Sequence, residues 1–212
     1  MKIITTILFV FISCSLFAQD TTWTKEQIDE LTGNETAKFD EDSVPDHFRI
    51  QHNDDEIVQS VLSINLSSLK KEIRINLLNN SILYNNKETA YYTFFTVSEN
   101  KICEIVIDYA NQMAVPNISG EKKDLKEKIK LRFNPKNQKV QLISYDLSYR
   151  KDSKIIKKSF NFLTGKFTTT QKSNGKTISI NGWALALENI YAENWNFPFV
   201  REKIFEYGNG LE

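Results

Sequence analysis

Two histidines, two cysteines and 27 acidic side chains are the groups in this 212-residue chain that can carry chemistry. His47 and His52 stand five apart, beside Asp46, Asp54, Asp55 and Glu56. Paired metal ligands recur three or four residues apart on a helix and two apart on a strand, so this spacing suits neither. The cluster reads instead as an acidic helix entrance with solvated histidines. Asp54-Asp55-Glu56 also lacks the alternating oxygens and the glycine of a calcium loop, so no metal and no cofactor is expected. Cys103 alternates with Glu104 along Ile102-Cys103-Glu104-Ile105-Val106-Ile107-Asp108 and falls on the apolar side, as a core residue rather than a nucleophile. No Gly-x-Ser-x-Gly elbow, phosphate-binding loop or dinucleotide glycine pattern occurs. Glu104 and Asp108, four residues apart on one strand face, are separated by about 13 Å, beyond the roughly 9.5 Å of an inverting glycosidase pair. Catalysis is therefore not the favoured reading, with a carboxylate-dependent hydrolase kept as a lesser alternative.

Aromatic and basic groups are the better candidates for contact. Trp183, Trp195, Phe197 and Phe199 can form a sugar-stacking platform, or dock the C-terminal segment on the core. Tyr145 and Tyr149 lie near Lys151, Lys154, Lys157 and Lys158, and the run Lys122 to Lys130 is rich in lysine. These can line one sheet face and grip an anionic polymer or an acidic protein, or simply keep exposed strands soluble. With 27 cationic against 27 anionic side chains the net charge is zero. That balance gives no basic field for nucleic acid or an anionic membrane surface.

The elements that must position these groups are mostly strands. Ile73, Ile75 and Leu77 alternate with polar residues, and Ile82 to Tyr84 resumes the pattern after Asn79-Asn80. Ala90 to Ser98 and Lys101 to Tyr109 form a hairpin across Glu99-Asn100. Residues 110 to 124 are a loop. Ile129 to Phe133, Val140 to Tyr149, Ile155 to Leu163, Lys166 to Lys172 and Lys176 to Ile180 follow, joined by turns of a few residues. Parallel pairing needs crossovers of a dozen residues or more, so the sheet is antiparallel. The expected fold is α+β and β-rich, an antiparallel meander of about seven strands with one or two helices packed on it. The helices are placed at Asn53 to Ile64 and Leu185 to Trp195, the second ended by Pro198, with a shorter one at Trp23 to Leu31.

The N-terminus has the layout of a cleaved export leader over residues 1–19: Lys2, an apolar stretch from Ile3 to Phe17, and Ala18 before Asp20. Its strongest run, Ile7 to Phe17, is shorter than the roughly 20 residues of a membrane helix. Lipidation at Cys14 is an alternative, although Phe11-Ile12-Ser13 departs from a lipobox. Residues 20–46 read as an acidic, exposed arm and 47–212 as one β-rich domain. With the leader removed, Cys103 is the remaining cysteine, so no internal disulfide can form.

Leu131-Arg132-Phe133, Gln141-Leu142-Ile143-Ser144-Tyr145-Asp146 and Ser159-Phe160-Asn161-Phe162-Leu163-Thr164-Gly165-Lys166 together resemble a module of uncharacterised bacterial secreted or periplasmic proteins. In that group a strand reading Leu-Ile-x-Tyr-Asp precedes one ending Asn-Phe-Leu-Thr-Gly-Lys at a tight turn. The likeness covers residues 128–170 and implies an extracytoplasmic β-meander, with no activity to carry over. Some members have an Asp-rich loop containing glycine, where this chain reads His52-Asn53-Asp54-Asp55-Glu56 without one.

The expectation is a periplasmic or extracellular, non-catalytic binding module without stable membrane insertion, its partner an unidentified protein or glycan. Trp183, Trp195, Tyr145, Tyr149 and Lys157 are its candidate contacts. An immunity-type inhibitor of a toxin or hydrolase, using the acidic arm, is the alternative.

Overall fold

The computed structural model describes residues 35–53, 59–77, 92–109, 123–184 and 190–207. The expected leader, the expected short helix at Trp23 to Leu31, the expected strand at Ile82 to Tyr84 and most of the expected loop after Tyr109 lie outside the described residues. Two antiparallel sheets form the fold. The smaller has the order β1 (Glu35–Ala37), β2 (Asp46–Asn53), β3 (Gln59–Leu66) and β4 (Lys71–Asn76). The larger is a seven-stranded meander of β5 (Tyr92–Val97), β6 (Ile102–Asp108), β7 (Lys123–Asn134), β8 (Lys139–Lys151), β9 (Lys154–Asn161), β10 (Lys166–Ser173) and β11 (Lys176–Trp183), in sequence order across the sheet.

Short turns enforce the meander. Asn174 and Gly175, with φ of 49° and 75°, form the two-residue corner between β10 and β11, where two positive φ values match the strand twist. Between β9 and β10, Asn161 Oδ1 accepts from the Leu163 and Thr164 amides at 3.0 and 3.1 Å, and Gly165 takes φ 66°.

Period-two alternation then divides the large sheet. Cys103, Ile105 and Ile107 on β6, Ile129 and Leu131 on β7, Tyr145, Leu147 and Tyr149 on β8, and Ile156 and Phe160 on β9 are buried on one face. The small sheet adds Phe48, Leu62, Ile64, Ile73 and Ile75 to the same core, with the Phe48 and Phe95 rings 5.9 Å apart. A helix, α1 (Phe197–Glu206), contributes Val200, Ile204 and Phe205. At its end, Tyr207 rests on Phe160 and Phe167 at 5.7 and 5.2 Å between centroids.

Three sequence expectations change. The helix expected to run to Ile64 is replaced over its described part by β3, because Leu62, Ile64 and Leu66 alternate into the core between β2 and β4. Pro198 does not end a helix but stands in the first turn of α1, where its missing N–H costs nothing, and Asn196 caps that turn by accepting from the Phe199 amide at 3.1 Å. From Glu35 onward the acidic arm is folded in. Asp46, fully buried, accepts through Oδ2 from the Phe39 and Asp40 amides at 3.1 and 3.2 Å and through Oδ1 from the Ser67 amide at 2.9 Å. Asp40 accepts from the Asp42 amide and the Ser68 hydroxyl, and burial raises its carboxyl above the usual value. These carboxylates serve turn backbone, which removes them from an exposed contact surface.

Candidate functional site

The large sheet has a second face, and there the same strands are polar. One row crosses it through Val106, Lys128, Asp146, Ser159, Thr168 and Asn181, each opposite the next in register. The neighbouring row runs Asp108, Lys126, Ser148, Lys157, Thr170 and Ser179. Their middle members, from Val106, Lys126 and Lys128 across to Thr168 and Thr170, line a shallow hollow of about 500 Å3. Directly opposed side chains lie about 5 Å apart, close enough to bond across strands. Ser159 Oγ donates to Asp146 Oδ1, and Thr168 Oγ1 donates to Asn181 Oδ1 at 2.7 Å.

Charge on this face is largely internally matched. Lys126 Nζ lies 2.6 Å from Asp108, while Lys128 and Lys130 meet Glu104 at 2.8 and 3.3 Å. Burial pushes the Glu104 carboxyl upward, yet the two ammonium groups outweigh it and hold the group below its usual range. Lys157, which lines the hollow, has no ion-pair partner among the described residues. Glu104 and Asp108 share this face as expected, and both are engaged by lysines.

The candidate contacts separate. Lys157 stands at the hollow and Trp183, 60% exposed, ends β11 on the same face, with Lys166 Nζ 4.9 Å from its ring centroid. Trp195 packs against the core, so the two tryptophans do not make one platform. Tyr145 and Tyr149 point the other way: they oppose Phe160 and Ile156, and both are buried. Lys158 also faces inward, donating to the Phe205 carbonyl at 2.6 Å, and is buried where Lys157 is exposed. His47 and His52 lie on β2 rather than at a helix entrance, and no cluster of three metal-ligating side chains occurs among the described residues.

Beneath the sheet lies a polar group that the spacing of titratable residues did not bring forward. Glu127 on β7 has no exposed surface, and Arg201 of α1 places Nε 2.7 Å from its Oε1. Tyr109 donates to Glu127 Oε2 at 3.1 Å and accepts from Arg201 Nη2 at 3.0 Å. Burial opposes charge on Arg201, but the Glu127 carboxylate prevails and raises its pKa. Burial, reinforced by Glu127, raises the Tyr145 phenol well above its usual value. Burial likewise raises the Cys103 thiol and keeps it protonated. The available signal was phase: Glu127 occurs at the buried position between Leu125 and Ile129.

No family model matches the chain, and no curated protein or solved structure matches it either.

Two outcomes follow. Glu127→Gln or Arg201→Met alone is expected to cost about 3–5 kcal/mol in urea unfolding, because each strands a buried charge or its partners. The double substitution Glu127→Leu with Arg201→Met should recover at least half of that loss. For Glu104 the folded pKa lies below the unfolded value of about 4.3, so its stabilisation is present above that pH and disappears as pH falls through the folded pKa. The stability gap between wild type and Glu104→Gln should therefore be constant from about pH 5 to 7 and narrow below about pH 4.

Proposed function

We propose that the chain is an exported, non-catalytic binding module, periplasmic or extracellular, that holds an extended glycan on the open face of its large sheet. The observation that carries this reading is the segregation of the sheet: one face is closed by the core, while the other keeps a polar hollow lined by Lys157, Asp146, Ser159 and Thr168. Hydroxyl, ammonium and carboxylate groups in adjacent rows suit a ligand that both donates and accepts hydrogen bonds at short intervals, as sugar hydroxyls do. Trp183 adds an exposed indole at one end of that face, the apolar surface on which a pyranose stacks. The leader over residues 1–19 and the likeness of residues 128–170 to secreted or periplasmic proteins support the setting.

The inhibitor reading is less well supported, because Asp40 and Asp46 spend their carboxylates on turn amides. The hydrolase reading has Glu104 and Asp108 each tied to lysine ammonium groups.

Titration of 15N-labelled protein with soluble cell-wall glycan fragments tests the proposal. Amide shifts should gather at Asp146, Lys157, Ser159 and Thr168 and at the Trp183 indole. Trp183→Ala should weaken binding about tenfold, the scale of one stacking contact, without changing the melting temperature. Shifts confined to the core side, or shifts only with peptides, would contradict it.

A further inference from the structure

Strand β11 closes the sheet on one side, and no described residue pairs with its outer edge. The hairpin fixes which backbone groups lie there. A two-residue corner is flanked by a hydrogen-bonded pair, here Ser173 with Lys176, and bonded pairs then alternate. Lys176, Ile178 and Ile180 therefore bond to β10, whereas Thr177, Ser179 and Asn181 direct their N–H and C=O groups outward. Such an edge is commonly guarded by proline, a bulge or an inward charge. Over Thr177–Asn181 none of these occurs, and the register with β10 is unbroken. Ile178 faces the core side of the sheet, opposite Gln171, but is 52% exposed because the core ends before it.

We infer that β11 is a dimerisation edge that pairs antiparallel with β11 of a second copy of this chain, centred on Ser179. A two-fold axis perpendicular to the sheet keeps each face on its own side, so partners must share the same alternation phase. Centring on Ser179 sets Ser179 against Ser179 and Thr177 against Asn181 as bonded pairs, using the outward backbone groups of both strands. It also places Ile178 of each copy against Ile180 of the other in the closer, non-bonded positions, covering the exposed isoleucine. Of the two registers two residues away, one sets Ile178 against Gly182 and leaves it uncovered, and the other sets Ile178 against Ile178 but turns each Ile180 against Lys176. With Ser179 at the centre, Lys176 meets Gly182, so no like charges are opposed. This self-complementarity selects a second copy over an unrelated peptide. The two large sheets become one, and the polar rows on their open faces continue from chain to chain.

Sedimentation equilibrium of the purified full chain tests this at about 100 μM, where a small interface of the weak class still assembles. The expected mass is that of a dimer. Ile178→Lys should return it to monomer by placing two ammonium groups at the seam. Ser179→Pro should do the same by removing the central outward N–H, while leaving the pairing with β10 intact, since that amide does not serve it. Far-ultraviolet dichroism, and melting temperature measured at about 1 μM where so weak a dimer is dissociated, should be unchanged in both variants. A monomeric wild type, an assembly larger than a dimer, or a dimer that survives either substitution would overturn the inference.

Discussion

Glu127 carries a carboxylate into the interior of a β-sheet, and a charge there is tolerated only with a partner that meets most of its hydrogen-bonding capacity. Arg201 and Tyr109 are that partner set. Because Arg201 belongs to α1, the pair also ties the helix to β7 on the core side of the sheet, with Phe205 reaching Tyr149 on β8 and Lys158 on β9. Hydrophobic contacts alone are poorly directional. The ion pair adds a position, and the Lys158 ammonium on the Phe205 carbonyl adds another one turn further along the helix. Buried polar contacts of this kind are directional, which makes one packing preferable to its neighbours.

With α1 and the small sheet covering one face, alternation leaves the other face polar without further instruction. Every strand from β6 to β10 sends its intervening residues to that side, and apart from Ile102 and Val106 on β6 and Ile155 on β9 these are mostly lysines, serines, threonines and acids. The same arrangement that closes the core thus creates the open rows and their hollow. Ion pairs such as Lys126 with Asp108 match most of the charge in the rows and leave Lys157 as the unmatched lysine among their described residues, and exposed pairs of this kind contribute little stability individually. On the binding role proposed above, they present ordered donors and acceptors on a rigid support, which lowers the ordering cost of binding.

Much of this was legible in the chain. The meander from Tyr92 to Trp183 follows from alternation and from turns such as Asn174-Gly175, both local properties. The first sheet was harder. Residues around Leu62 and Ile64 fit a helical face as well as a strand, and only pairing with β2 and β4 decides between them. Pro198 was ambiguous for a similar reason, since proline either ends a helix or opens one, and the Asn196 cap settles which. Among site residues, Lys157 and Trp183 lie on the open face, but Tyr145 and Tyr149 are on the other. Their phase relative to Lys157 depends on register across the β8–β9 turn, where Ser148 rather than Tyr149 opposes Lys157. Glu127 was readable from phase, whereas its pairing with a residue on a distant helix was not.

The segregation of the two faces can be measured at one pair of adjacent residues. Brief acetylation of the native protein, read by mass spectrometry after digestion, compares Lys157 with Lys158. Lys157 should be modified rapidly, while Lys158, sealed against the Phe205 carbonyl, should react only when the protein is unfolded. Equal reactivity of the two lysines in the folded state, or faster reaction at Lys158, would contradict the account.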